Sequence, residues 1–129
     1  MNTIRVGIIG TGGISRAHQQ AYQKAGGFEI VAVCDIFEEK AKKAAEEWGV
    51  PAENAFTDIE QMLNSVDLDT ISVCTYNQAH KDPTIAALKA GKHVFCEKPM
   101  AATLEDATEM VKVSKSSGKI LQIGIHSTF

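Results

Sequence analysis

Five apolar, β-branched runs recur along the chain at near-regular intervals, and their spacing limits the fold more than any other feature. They read TIRVGII, FEIVAVC, LDTISVC, KHVFCE and KILQIGI, and the segments between them carry helical periodicity. Runs this continuous lack the in–out alternation of a half-solvated strand, so they predict strands buried on both faces, as in a parallel sheet covered by helices. Parallel neighbours need a crossover, which the intervening helices supply; the alternation therefore predicts an α/β doubly wound parallel sheet. A weak additional strand is expected at Ala55–Phe56. At 129 residues the chain has room for a single domain around one sizeable core.

The helix boundaries are written in the same language. In FEEKAKKAAEEWG, Ala41, Ala44, Ala45 and Trp48 share one face, and Glu38–Lys42 and Glu39–Lys43 form exposed i,i+4 pairs. Gly49 is placed to end that helix, with Pro51 just beyond. Thr57 with Glu60 and Thr103 with Asp106 have the spacing of capping boxes, Asp82–Pro83 marks a helix start, and Gly91 and Gly118 mark helix stops.

Composition excludes several classes of function. The chain is 44% hydrophobic and 22% charged with a net charge of −3, and it has no basic patch, so nucleic acid is not expected as a partner. Its apolar runs are strand-sized and no charged segment precedes an apolar one at the N-terminus, which predicts neither a membrane span nor a secretory signal, and a cytoplasmic location by default. The three cysteines, Cys34, Cys74 and Cys96, are odd in number and far apart, which suits reduced thiols at strand ends and no metal site.

The stretch GIIGTGGISRAH follows the first strand. Gly10 meets the need for a tight strand-to-helix turn, and Gly12 lets the backbone approach a pyrophosphate. Gly13 adds a bare amide, and the helix starting there aims its unpaired N–H groups and positive dipole end at the phosphates. Ser15 stands where the third glycine of G-x-G-x-x-G is usual and is small enough for the packing role. Asp35, closing the second strand, can accept hydrogen bonds from the hydroxyls of an adenosine ribose. That carboxylate repels a 2′-phosphate, and neither Ile36 nor Phe37 is cationic, so NAD is expected over NADP. A methyltransferase turn is the rival, but it would carry an acid where Ile9 stands and a glycine where Ile14 stands.

In the usual strand order CTYNQAH emerges beside this turn. Thr75 and Asn77 could bond the ribose and amide of a nicotinamide half, Tyr76 could pack on a ring, and His80 either faces solvent or lies near the reaction centre. Glu97 and Lys98 leave the fifth strand towards the same crevice, stiffened by Pro99; a lysine there could bind a substrate hydroxyl, stabilise an alkoxide or help to move a proton.

Together GIIGTGGISRAH, CD at Asp35, CTYNQAH and AGKHVFCEKP resemble the N-terminal domain of the Gfo/Idh/MocA oxidoreductases, the group of glucose-fructose oxidoreductase and inositol dehydrogenase. The likeness covers essentially the whole chain. It implies a Rossmann fold over residues 1–122, with 123–129 ending the last strand and starting a link onward, and a dehydrogenase passing hydride between NAD(P) and a sugar, inositol or related polyol. By the same resemblance Gly10, Thr11, Gly12, Gly13 and Ile14 hold the pyrophosphate, and Asp35 with Ile36 the adenosine ribose side. Thr75, Asn77, His80 and Glu97 line the nicotinamide side, Tyr76 is counted with the cofactor-binding residues, and Lys98 serves both cofactor and catalysis. Two departures stand out: Tyr76 occupies a position where relatives commonly have proline, and His126, Ser127 and Thr128 stand where many carry arginine. The family also implies a C-terminal α/β substrate domain and usually an oligomer interface, and the 129 residues, stopping at QIGIHSTF, are expected to lack that domain and so not to turn over alone. The alternative is a non-catalytic nucleotide-binding or interaction module derived from that family.

Overall fold

The structure is a computed structural model that describes residues 3–74, 81–97 and 112–124. Its elements run β1 (Ile4–Ile9), α1 (Gly13–Ala25), β2 (Phe28–Cys34), α2 (Glu38–Trp48), a 3₁₀ turn (Ala52–Asn54), β3 (Ala55–Phe56), α3 (Ile59–Ser65), β4 (Thr70–Val73), α4 (Lys81–Lys89), β5 (His93–Glu97) and β6 (Leu121–Gly124). Residues 112–117 are also helical. The strands form one sheet in the order β3-β2-β1-β4-β5-β6, every described pairing parallel. This is the doubly wound Rossmann arrangement, and the order reverses between β1 and β4, where open α/β sheets bind ligands.

Both faces of the sheet are covered, which explains the unbroken apolar runs. On one face Ile9, Ile71, Val73 and Val94 pack with Met62 of α3 and Ile85 and Leu88 of α4. On the other, Val33 packs with Ala41 and Ala45 of α2, and Val6 and Ile8 with Tyr22 of α1 and Trp48 of α2. Gly7 in β1 lets the first face close: a Cβ there would stand 3.1 Å from the Ile71 Cδ1 and 3.2 Å from a Leu68 methyl. The opposite face carries a polar join, where the Tyr22 hydroxyl of α1 and the buried Ser72 hydroxyl of β4 hydrogen-bond to each other.

One boundary differs from the sequence reading. Asp58, not Thr57, caps α3: its Oδ1 accepts from the Glu60 amide at 2.9 Å and the Gln61 amide at 3.5 Å. The residue immediately before the first helical turn is the one whose short carboxylate reaches those amides, so the competing acceptor one position later wins. Asp82 and Pro83 stand in the first described turn of α4 (Lys81–Lys89), in keeping with a helix start there. The Thr103–Asp106 pair lies outside the described residues. Gly49 ends α2 in the left-handed conformation at φ 71°, ψ 24°, and its amide bonds the Ala45 carbonyl. Glu38 and Lys42 meet at 3.2 Å on the exposed side of the same helix.

Candidate functional site: the β1–α1 turn and the end of β2

Beyond the carboxyl ends of β1, β2 and β4 the sheet ladder continues for one more step. Gly10 donates its amide to the Cys34 carbonyl at 2.7 Å, Cys74 donates to Ile9 at 2.7 Å, and Asp35 donates to Phe56 at 3.0 Å. These bonds align the glycine turn, the end of β2 and the end of β4 at one level. The turn itself needs glycine at its first position, where Gly10 has φ 89° and a side chain would be strained.

Gly12 is under no such constraint from the described protein. It is the N-cap of α1 at φ −77°, a conformation open to any residue, and a Cβ there would meet nothing within 4 Å. Neither backbone strain nor packing against the described protein demands glycine there, and the open space above its bare backbone has room for a closely approaching group such as a pyrophosphate. No side chain caps α1, and no acid lies in its first turn. The Ser15 amide closes back on the Gly12 carbonyl at 3.1 Å, while the amides of Gly12, Gly13 and Ile14, standing at the start of the helix, have no acceptor within it. Amides at the positive, uncapped end of a thirteen-residue helix suit a diphosphate.

Ser15, in the place of the third glycine, is fully buried, and its hydroxyl donates to the Gly12 carbonyl. It thus meets the packing demand of the helix–sheet contact while returning its own polar group to the turn.

Asp35 supplies the charge. Its Oδ2 accepts both the Thr11 amide at 3.0 Å and the Thr11 hydroxyl at 2.7 Å, and its Oδ1 accepts the Phe37 amide at 2.9 Å. Burial raises the carboxyl pKa, but the Phe37 amide, the Thr11 hydroxyl and amide, and the positive charge of Lys40 outweigh it and hold the group below its ordinary value. Asp35 is therefore ionised at neutral pH. Beside it the Cys34 thiol is pushed up to about 12, first by burial and then by the negative charges of Asp35 and Asp58, so it stays protonated. Ile36 next to Asp35 is 81% exposed, and Phe37 is largely exposed with the Lys40 ammonium 5.1 Å from its ring centroid.

The structure thus brings Gly10, Thr11, Gly12, Gly13, Ile14, Asp35 and Ile36 to one end of the sheet. Glu97 is the last residue of β5, its backbone in register with Gly124 of β6. Thr75, Tyr76, Asn77, His80 and Lys98 lie outside the described residues. Sequence reasoning missed the link from Thr11 to Asp35, the Phe37 amide and the nearby Lys40. Thr11 turns both of its donors to Asp35 instead of to the helix start. The signal lay in topology, since adjacent parallel strands bring the residues just past their ends side by side, however far apart they are in the chain.

A family model described as an oxidoreductase family with an NAD-binding Rossmann fold matches residues 4–125. The chain belongs to the Gfo/Idh/MocA family. Within it, inositol 2-dehydrogenase of Salmonella paratyphi B is 36% identical over 124 residues, which are 95% of this chain and 37% of that protein. D-glucoside 3-dehydrogenase of Escherichia coli is 39% identical over 127 residues, 98% of this chain and 36% of that one. The crystal structure of the WlbA dehydrogenase from Bordetella pertussis, in complex with NADH and UDP-GlcNAcA, superposes with a TM-score of 0.90 at 32% identity, covering 95% of this chain and 35% of that chain. These residues are the family's NAD-binding Rossmann domain, and they span little more than a third of the length of the relatives they match. Among the described residues no helix is long and apolar enough to cross a membrane.

Proposed function

We propose that this domain binds NAD with the pyrophosphate on the Gly12–Ile14 amides and the adenosine ribose on Asp35, and that the protein it serves oxidises or reduces a sugar, inositol or related polyol. The observation that carries the reading is the ionised Asp35 carboxylate, fixed by three hydrogen bonds beside the uncapped start of α1. A ribose hydroxyl donates to such a carboxylate, whereas a 2′-phosphate meets its negative charge, which favours NAD over NADP. Lys40 is the opposing influence, a cation close enough to Asp35 to lower its pKa.

When bound, the nicotinamide supplies the hydride acceptor or donor. The chain's own part is to bind and orient it: the glycine turn holds the diphosphate, and the sheet end directs the rest of the dinucleotide along the crevice between β1 and β4. Thr75, Tyr76, Asn77, His80 and Glu97 are assigned to the nicotinamide side and Lys98 to the substrate, where an ammonium would stabilise the alkoxide that precedes hydride loss in oxidation or follows hydride addition in reduction. The relatives named for inositol and D-glucoside oxidation support the polyol class. By this reading the 129 residues bind cofactor but do not turn over alone, because they span little more than a third of the relatives' length.

Calorimetric titration of the chain with NAD and with NADP tests the assignment. NAD binding, lost in Asp35→Ala, is the expected result; binding of neither dinucleotide, or tighter binding of NADP, would contradict it.

A further inference from the structure

Asp35 is held from two sides, and the way its acceptor positions are filled has a consequence for the ribose. An ionised carboxylate offers about four acceptor positions, two on each oxygen. On Oδ2 both are taken, by the Thr11 amide at 3.0 Å and the Thr11 hydroxyl at 2.7 Å. On Oδ1 one is taken, by the Phe37 amide at 2.9 Å. A single position on Oδ1 is left, and the carboxylate cannot swing to present a second oxygen without breaking its bonds to the turn.

We propose that Thr11 is a positioning residue that fixes Asp35 to receive one ribose hydroxyl through Oδ1 and so sets the preference for an unphosphorylated ribose. This rests on the reading that Asp35 meets the adenosine ribose. The Thr11 hydroxyl donates to Oδ2 and keeps its own lone pairs, so it remains an acceptor for a hydroxyl arriving beside Asp35, as a fixed point and not a mobile one. A carboxylate free to rotate could turn away from a 2′-phosphate towards solvent; one pinned by Thr11 cannot, and it keeps its charge facing the ligand. The Thr11 amide also joins the second residue of the turn to the end of β2, so the diphosphate donors of α1 and the ribose acceptor are held at one separation.

The test compares Thr11→Val, which removes the hydroxyl while keeping the branched shape and the amide, with Thr11→Ser, which keeps the hydroxyl. Thr11→Val is expected to weaken NAD binding about tenfold, the scale of one hydrogen bond to a charged group, and to weaken NADP binding by less than about threefold. The preference for NAD therefore narrows, and Thr11→Ser restores it to within about twofold of the parent. Circular dichroism and the thermal midpoint check folding, and Thr11→Ala makes the same comparison should the valine variant fail to fold. NAD binding unchanged in Thr11→Val, an equal loss for NAD and NADP, or no rescue by serine would overturn the positioning role. If the parent binds NAD and Asp35→Ala does not, only the Thr11 inference is at stake in those outcomes. A parent that binds no dinucleotide, or an Asp35→Ala variant that binds like the parent, instead removes the cofactor reading and the Thr11 role with it.

Discussion

Asp35 and Cys34 are chain neighbours with opposite electrostatic fates. The carboxylate gains three hydrogen bonds and a nearby lysine, which together outweigh its burial, while the thiol is buried with two acids near it and no donor to stabilise a thiolate. Because the folded-state pKa of Asp35 is lowered, its contribution to stability is fully present above the unfolded value of about 4 and is lost as the pH falls through the folded value. Asp35→Asn, which keeps the shape but not the charge, is expected to unfold at lower urea concentration than the parent at pH 7, and the gap is expected to close towards pH 3. A gap that stays constant over that range would mean that the ionised form has no special role in the fold. For Cys34 the expectation is chemical silence: iodoacetamide at pH 8 should label it only after unfolding, as read by peptide mapping in native buffer and in denaturant. At this scale Gly10 and Asp35 were legible, because a positive φ and a charge at a strand end each demand a particular residue type. Thr11 was not, because nothing in its local sequence says that its two donors turn to a residue 24 positions away.

The elements show where local pattern suffices and where it slips by one residue. The second helix was readable in full, since Ala41, Ala44 and Ala45 are buried on one stripe and Gly49 closes it. The strands were readable because both faces are covered, which keeps most polar residues out of them, and even the two-residue strand expected at Ala55–Phe56 forms, as β3 beside Val33 and Cys34. Caps are less legible: Thr57 and Asp58 are both good cap residues, and only the path of the backbone decides which side chain reaches the free amides. The difference is measurable. Asp58→Ala should cost about 0.5–2 kcal/mol of unfolding free energy, the usual range for losing an N-cap, whereas Thr57→Ala should stay within about 0.5 kcal/mol. Chemical denaturation of the two variants side by side checks this, and a larger loss from Thr57→Ala would restore the cap to the position that the sequence suggested. Core loss gives a scale for comparison: Met62, fully buried under the sheet, should cost about 2–5 kcal/mol on truncation to alanine.

Over the whole molecule the strand order turns separate motifs into one site. Placing β1 between β2 and β4 puts the glycine turn beside Asp35 on one side and beside the end of β4 on the other. The opposite end of the sheet, where β1, β4 and β5 start, has a different character: a shallow groove of about 450 Å³ lined by Asp67, Asp69, Lys92, His93 and Lys119. There Arg5 donates its amide to Asp69 at 2.9 Å and its Nε to the Asp67 carbonyl at 2.6 Å, so the polar groups are tied to one another across the strand starts. A dinucleotide bound at the carboxyl ends contacts only one end of the sheet, and its stabilisation should divide the molecule accordingly. Hydrogen exchange with and without saturating NAD is expected to slow the amides of Gly12, Gly13 and Ile14, which have no acceptor within the helix they open and gain one when a phosphate binds. The Asp69 and His93 amides, already bonded at the far end to the Arg5 and Asp69 carbonyls, open only with the sheet; they should slow by no more than the general gain in stability that ligand binding confers. Greater protection at the far end than at the glycine turn would place the dinucleotide at the wrong end of the sheet and overturn the site assignment while leaving the fold intact.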